Sequence, residues 1–468
     1  MHPRPSAGGK GVVVTNSAEA VHSWLRPILA DDDRGRSGVF LFPVNDERLR
    51  RILPSPLDEV AGVFHMKAYI VDDEMVLSGA NLSEEYFDDR LDRYMLFANG
   101  GGGVVDFYAE LCDALCGYAI RYDGRRPGGG PPTAPAPPRD EGARKRELEL
   151  SLTRIFDGGR GRSHHHRDDP GDGDDGVVAW AIPTIQIPAA FAGGPACVPS
   201  DAEVTRNLLS SALGSGESSA SVRLSSAYLN LTREMTSILS MYGRTGNNGD
   251  VGSSSSSSSS SPYILTAGAA SHGFAPKVGS SPSSRGGKKR GVLERIKSTI
   301  PDAFLLLAKE TARSIASSGG KILLYERRGW TFHAKGIWIT TDSDDGDNDD
   351  DVDHSAPPPR RRRLDPRHHR PEIIADPSSL LATVIGSSNY GSRSENLDLE
   401  SNCILIFNDD SSMAAGGGGL CGSSVKESVA AEWNELCRPS SVLRDVGDDE
   451  YGGSQVMRAV LKLMKRYL

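Results

Sequence analysis

Two stretches far apart in this chain carry the same uncommon pattern. Phe64–Asn81 reads FHMKAYIVDDEMVLSGAN, and Phe332–Ile339 reads FHAKGIWI, followed later by IGSSN at Ile385–Asn389. On a β-strand, alternate residues share a face, so a strand over Val63–Val71 would present His65, Lys67 and Tyr69 together and bury Phe64, Met66, Ala68 and Ile70. By the same rule His333 and Lys335 share a face opposite Phe332, Ala334 and Trp338. An imidazole beside an ammonium on rigid backbone suits a phosphoryl centre. The histidine can attack or carry a proton while the lysine neutralises non-bridging oxygens. Eleven residues beyond the asparagine of each copy stands a carboxylate: Asp92 after Asn81, and Glu400 after Asn389. Two sets of His, Lys, Asn and acid predict two related lobes whose half-sites meet at one pseudo-two-fold interface.

A chain of 468 residues can hold two such lobes with real cores. Only 38% of it is hydrophobic, and 52 Gly with 28 Pro leave a sizeable part for loops and disordered insertions. The balance of 53 Lys+Arg against 62 Asp+Glu gives a net charge of −9, which argues against a general nucleic-acid binder. Six cysteines form no CxxC pair and no zinc-like spacing. Cys112 and Cys116, four apart in a helical run, read as buried thiols, and the set as a whole suits a reducing compartment. No run of 18 apolar residues predicts a spanning helix, and the start of the chain gives no transit-peptide signal.

Strand and helix patterns alternate along the chain, an α/β arrangement of mixed sheets flanked by helices. Residues 1–122 form the expected first lobe, with a strand at Gly38–Pro43, short helices at Ser17–Leu29 and Asp46–Leu53, a strand at Leu91–Ala98 and a helix over Val104–Tyr122. Residues 123–176 read as a low-complexity linker with a charged helical patch near Arg144–Phe156. Its His164–His166 run is a solvated loop rather than a metal site. The second lobe, 177–468, has strands at Ala179–Pro188, Val222–Leu231, Tyr263–Ala267 and Lys321–Tyr325. Helices are expected at Asp201–Leu213, Thr232–Tyr242 and Thr299–Ser318. Insertions near 243–261, 277–291 and 341–378 interrupt it. The last lies inside the second motif: Lys67 to Asn81 spans 14 positions, Lys335 to Asn389 spans 54. Its Asp-rich and Arg-rich runs predict a disordered surface loop. Val456–Leu468 reads as an amphipathic helix that either packs on the lobe or lies on an anionic membrane.

His-x-Lys, four residues and Asp, present as His65, Lys67 and Asp72, resembles the phospholipase D superfamily signature. The segments SGANLSEEYFDDRLDRY, SSAYLNLT, RRGWTFHAKGIW and IGSSNYGSRSENLDLE narrow the resemblance to the eukaryotic mitochondrial phosphatidylglycerophosphate synthases. It runs from about Asn16 to the terminal helix, insertions apart. The second copy departs by having Thr340 where the signature has Asp, a loss this synthase family tolerates. The family also carries a longer segment before its first motif, so the resemblance implies a first lobe that is incomplete at its start.

The resemblance implies phosphatidyl transfer from CDP-diacylglycerol to sn-glycerol 3-phosphate through a phosphohistidine, with no cofactor and no metal. It implies a mitochondrial enzyme in peripheral contact with an anionic membrane. His65 is the expected nucleophile and His333 the acid and base. Lys67, Lys335, Asn81 and Asn389 would hold phosphoryl oxygens, Asp92 and Glu400 would orient the imidazoles, and Asp72 completes the signature. Arg90, Arg93, Ser387 and Arg393 are the expected substrate-binding groups, while Tyr228 and Asn230 read as core. Other readings remain: a cardiolipin or phosphatidylserine synthase, a phospholipase D hydrolase, a nuclease, or a non-catalytic lipid-binding remnant of the fold.

Overall fold

The computed structural model describes residues 38–43, 62–98, 103–122, 141–159, 179–188, 198–214, 220–241, 261–275, 292–341, 373–408 and 420–442, with Val21, Leu25, Leu461 and Lys465. The helices expected at Ser17–Leu29 (save Val21 and Leu25) and Asp46–Leu53, the His164–His166 run and nearly all of the three insertions lie outside these residues.

In the first lobe β1 (Val39–Leu41), β2 (Ala68–Val71), β3 (Glu74–Ser78), β4 (Arg90–Leu91) and β5 (Tyr94–Phe97) precede α1 (Val104–Tyr118), β6 (Ile120–Tyr122) and α2 (Glu141–Gly159). β2, β3 and β5 make a three-stranded antiparallel sheet, and β1 pairs with β6. The single strand expected over Leu91–Ala98 is thus two short ones, and the helix expected to reach Tyr122 stops at Tyr118. Residues 141–159, within the stretch expected as a linker, form α2 and pack on α1. Leu148 and Leu152 are buried, Phe156 meets Phe107 edge-on at 5.1 Å, and Arg144 sits over the Tyr118 ring. An apolar stripe at helical spacing inside that charged patch is enough to dock it.

The second lobe continues with β7 (Ala179–Gln186), α3 (Asp201–Gly214), β8 (Ala220–Ser225), α4 (Arg233–Met241), β9 (Tyr263–Ala267), α5 (Val292–Ile315), β10 (Lys321–Tyr325), β11 (Thr331–Phe332) and β12 (Gly336–Thr341). After these come β13 (Leu380–Gly386), α6 (Ser392–Asn396), β14 (Glu400–Phe407), α7 (Leu420–Cys437) and β15 (Ser440–Val442). Eight strands form one mixed sheet in the order β15-β10-β9-β8-β12-β13-β14-β7, parallel across β8, β9 and β10 and antiparallel elsewhere.

Both faces of the middle of this sheet are covered, so β9, β10 and β13 are apolar almost continuously, whereas β8 alternates Ala220, Val222 and Leu224 with the buried Ser221, Arg223 and Ser225. In β12, Ile337 and Ile339 face a core shared with Leu209 of α3, Leu239 of α4 and Ala308 of α5. Trp338 points the other way, to Trp433 of α7 at 4.9 Å between ring centroids. That second core runs on without interruption into the first lobe, through Met75, Leu77, Tyr108 and Leu111. The lobes therefore share one interior.

Arg93 fastens them. It is 1% exposed. Its guanidinium donates to the carbonyl of Val384 at 2.8 Å and twice to Glu432 of α7, at 2.7 and 3.0 Å, and stacks 3.9 Å over the Trp338 ring. Every polar edge is spent on the scaffold, which removes Arg93 from the expected substrate-binding groups. Arg93→Met should cost about 3–5 kcal/mol, because Glu432 and a row of buried acceptors lose their partner. The check is the urea midpoint of unfolding, which should fall clearly; an unchanged midpoint would show the contact to be idle.

Of the terminal helix, the described Leu461 packs on the Ala303–Phe304–Leu307 cluster, and Lys465 pairs with Glu310 of α5. At these two positions the helix rests on the lobe.

Candidate active site

The two motifs meet through backbone before they meet through side chains. Phe64 bridges Leu399, the residue before Glu400, and Phe332 of β11 pairs with Leu91 of β4, the residue before Asp92. The His65 N–H donates to the Leu399 carbonyl at 2.8 Å, and the His333 N–H to the Leu91 carbonyl at 2.8 Å. Each histidine is thereby placed beside the acid of the other lobe. His65 Nδ1 donates to Glu400 Oε2 at 2.8 Å, and His333 Nδ1 lies 2.7 Å from Asp92 Oδ2. The dyads are crossed.

This pairing also changes the strand expected over Val63–Val71. Only Ala68–Val71 joins the three-stranded sheet, and Phe64, expected in the core, is 42% exposed. Met66 and Phe332 are buried as expected.

Each lysine turns back on its own motif. Lys67 Nζ donates to the His65 carbonyl and Lys335 Nζ to the His333 carbonyl, both at 2.6 Å. Lys335 Nζ is also 2.7 Å from His333 Nδ1 and 3.9 Å from Asp92. Burial makes charge costly for all six central groups. It drives both imidazoles well below the usual histidine range, with Lys67 acting further on His65 and Lys335 on His333. Burial lowers Lys67 to about 7 and Lys335 to about 8, raises Glu400 to about 7, and raises Asp92 from its usual value.

A phosphoryl anion entering the site would return charge to both lysines. Binding of inorganic phosphate at pH 8.5 (roughly half a unit above the higher of these values) should therefore draw protons from solution. Affinity should fall as pH rises through the free lysines' range, since the free protein must then acquire protons it lacks. Calorimetry in buffers of different ionisation enthalpy reads the uptake. A heat independent of buffer would mean the lysines are charged beforehand.

The supporting groups differ between the halves. Ser387 is buried at the end of β13, and its hydroxyl donates to Glu400 Oε2 at 2.5 Å. It is a positioning group, not the expected substrate contact. At the matching place the first lobe has Gly79, where a Cβ would lie 2.9 Å from Asp92 Oδ1 and 3.2 Å from Lys335 Nζ. The room beside Asp92 is taken by Lys335 instead of a hydroxyl.

The other expected residues divide. The Oδ1 of Asn389 is buried without a hydrogen-bond partner, while its carbonyl accepts from Ser226 and its N–H donates to Ser394. A side-chain dipole held this way is available to a ligand. Asn81 is exposed on the loop that follows β3. Asp72 is not at the site: it is exposed in the β2–β3 turn with φ 51°, and five extended residues put it about 16 Å from Lys67. Its counterpart Thr340 is buried and accepts from Arg223 at 2.8 Å, also as scaffold. Arg393 is held by Asp398 at 3.0 Å, whose carboxylate also accepts from the Val63 N–H, so it braces the approach to His65. Arg90 donates to Tyr86 Oη at 3.3 Å and Thr331 Oγ1 at 3.1 Å.

Tyr86 is a site residue the motifs did not reveal. Its hydroxyl is 3.2 Å from His333 Nδ1 and 3.3 Å from Nε2, and its ring meets the imidazole edge-on at 5.2 Å. Tyr228, expected in the core, flanks the same imidazole at 5.7 Å. The first sits in the stretch between Asn81 and Asp92, the second after β8, and neither spacing repeats in the other half. Among the described residues no group of three or more His, Cys, Asp or Glu could hold a metal ion, and no helix is long and apolar enough to cross a membrane.

With two imidazoles, two buried lysines and two acids, the arrangement can carry a phosphoryl group on nitrogen and move a proton nearby. No protein-family profile matches the chain. It is similar to a probable CDP-diacylglycerol–glycerol-3-phosphate 3-phosphatidyltransferase of Dictyostelium discoideum, at 25% identity over 80% of this chain and 54% of that protein. It is likewise similar to the mitochondrial CDP-diacylglycerol–glycerol-3-phosphate 3-phosphatidyltransferase of Homo sapiens, at 25% identity over 76% of this chain and 54% of that one. The chain spans about half the length of the curated relatives it matches. Its fold is that of the phosphatidylserine synthase of Haemophilus influenzae, with a TM-score of 0.58 at 15% identity, over 98% of this chain and 80% of that one.

Proposed function

We propose that this chain transfers the phosphatidyl group of CDP-diacylglycerol to sn-glycerol 3-phosphate, giving phosphatidylglycerophosphate and CMP. The observation that carries the proposal is the crossed pair of neutral histidines, His333 buried and His65 partly buried, in a chain similar to transferases of that name. A neutral imidazole whose Nδ1–H is held by a carboxylate presents its Nε2 lone pair as a nucleophile or base.

In the first step Nε2 of His65 attacks the β-phosphorus. The bond from that phosphorus to the bridging oxygen breaks, and its electron pair leaves with CMP. In the second, Nε2 of His333 takes the proton of the 1-hydroxyl of glycerol 3-phosphate as the oxygen attacks phosphorus. The nitrogen–phosphorus bond then breaks and its pair returns to His65. Lys67, Lys335 and Asn389 neutralise and orient the phosphoryl oxygens. The lysines supply the positive charge, so the reaction should run in EDTA.

The lipid substrate places the protein against a membrane, and the names of several relatives favour the mitochondrion. The test is purified protein with CDP-diacylglycerol and labelled glycerol 3-phosphate, EDTA present. Phosphatidylglycerophosphate and CMP in equal amounts are expected. Phosphatidic acid as the product would make the chain a hydrolase, and phosphatidylserine formed with serine would replace the acceptor.

A further inference from the structure

The parallel part of the large sheet ends beside His333, and the loops at its carboxyl edge carry aromatic side chains that the mechanism does not use. Ligands of open α/β sheets bind outside the carboxyl ends of parallel strands. Tyr228 follows β8, and His272 and Phe274 follow β9. Tyr228 touches His333 on one side and His272 on the other, with centroid separations of 5.7 and 5.2 Å. The His272 ring lies between Phe274, near-parallel at 29°, and Phe304 of α5 at 31°. Phe274 is 42% exposed, so part of this stack is open to solvent.

His272 is 1% exposed, yet its Nε2 has no hydrogen-bond partner. Its Nδ1 accepts from the Phe274 N–H at 3.3 Å, which leaves the ring proton on Nε2. Burial, then the nearby Arg90, lower its pKa to about 3, so the ring is neutral and that proton stays. A buried N–H donor without an acceptor is uncommon and marks a place where an acceptor is missing. The loop is also held close: a Cβ on Gly273 would meet the Tyr228 hydroxyl at 2.6 Å.

We propose that Tyr228, His272 and Phe274 form the seat of the cytosine base, one nucleoside diphosphate away from the phosphorus that His65 attacks. The proposal rests on the transferase reading and specifies where its nucleotide lies. The two ring contacts from His333 to His272 cover a span that a diphosphate ester bridges to its base. Cytosine offers O2 and N3 as acceptors to the His272 Nε2–H, and a flat ring to the open side of Phe274. Arg90, between Tyr86 and the cluster, stands where the phosphates would pass. His333 is then on the side of the departing CMP, and the glycerol 3-phosphate that replaces it enters the same space, which is where a base for its hydroxyl is needed.

The experiment is titration of the full chain with CMP and, separately, with glycerol 3-phosphate, for wild type, Phe274→Ala and His272→Phe. CMP affinity should fall at least tenfold in each variant, while glycerol 3-phosphate binds as before. Phe274 is partly exposed, so its truncation leaves the fold standing and decides the matter if His272→Phe does not fold. CMP binding unchanged in Phe274→Ala, or equal losses for both ligands, would overturn the seat. Transfer activity on CDP-diacylglycerol in the same preparation separates the two proposals. An active wild type whose CMP affinity ignores these residues refutes the base site alone, whereas an inactive wild type that binds no CMP refutes the transferase reading with it.

Discussion

Phosphatidyl transfer should disappear in both His65→Ala and His333→Ala, but the two variants should stop at different points. Without His65 there is no atom to carry the phosphatidyl group, and the loss in kcat should be about 10⁶-fold, as for removal of a nucleophile. His333→Ala keeps the nucleophile and removes the base, a loss of about 10²–10⁴-fold. CMP leaves as a stable phosphate anion and needs little help, so the covalent intermediate still forms in His333→Ala and then waits for an acceptor hydroxyl. Labelled CDP-diacylglycerol, quenched in alkaline detergent to spare the nitrogen–phosphorus bond, should therefore label His333→Ala and leave His65→Ala blank. Label on the His65 variant alone would exchange the two roles; label on neither would remove the phosphohistidine.

The second large effect concerns the acids, and it separates crossed dyads from the arrangement that sequence order suggests. Glu400→Gln and Asp92→Asn each keep the shape of the side chain. Each offers the histidine an amide where it had a carboxylate, which favours the wrong tautomer and costs about 10⁴-fold in a comparable triad. Because Glu400 holds His65, Glu400→Gln should suppress formation of the labelled intermediate. Asp92→Asn should leave labelling in place and slow its discharge to glycerol 3-phosphate. Had each acid served the histidine of its own copy, the two phenotypes would be exchanged. A small drop in both would show that the carboxylates only fill space.

Much of this site was legible because repetition is legible. The spacing His, Lys, Asn, acid occurs twice, and all of these residues except Asn81 come to buried or partly buried places at the lobe interface. The pairing was not legible, since it depends on Phe64 bridging Leu399 and Phe332 bridging Leu91, contacts between segments over 200 residues apart that periodicity cannot register. Asp72 fitted a signature while occupying a hairpin turn, where a short acidic side chain tolerates a left-handed backbone. Arg93 and Ser387 looked like ligands for anions because polar groups near a motif do; burial had already assigned one to Glu432 and the other to Glu400. Tyr86, Tyr228 and His272 have no partner in the other copy, so the repeat could not point to them. In the fold, Tyr263–Ala267 and Lys321–Tyr325 match expectation at both ends. Helix α5 begins earlier than expected, at Val292, and continues through Pro301.

The exchange of acids between the lobes bears on how such a chain can arise. A precursor with one lobe and this backbone exchange would hold a histidine and an acid that cannot reach each other, and would work only as two copies lending acids reciprocally. Joining the copies in one polypeptide frees each from having to match itself. Gly79 opposite Ser387, and the turn aspartate Asp72 opposite the buried Thr340, are differences of the kind that two identical subunits could not have divided between them. With both halves in one polypeptide, each can depart from the other's residue at a matching place without having to complement itself.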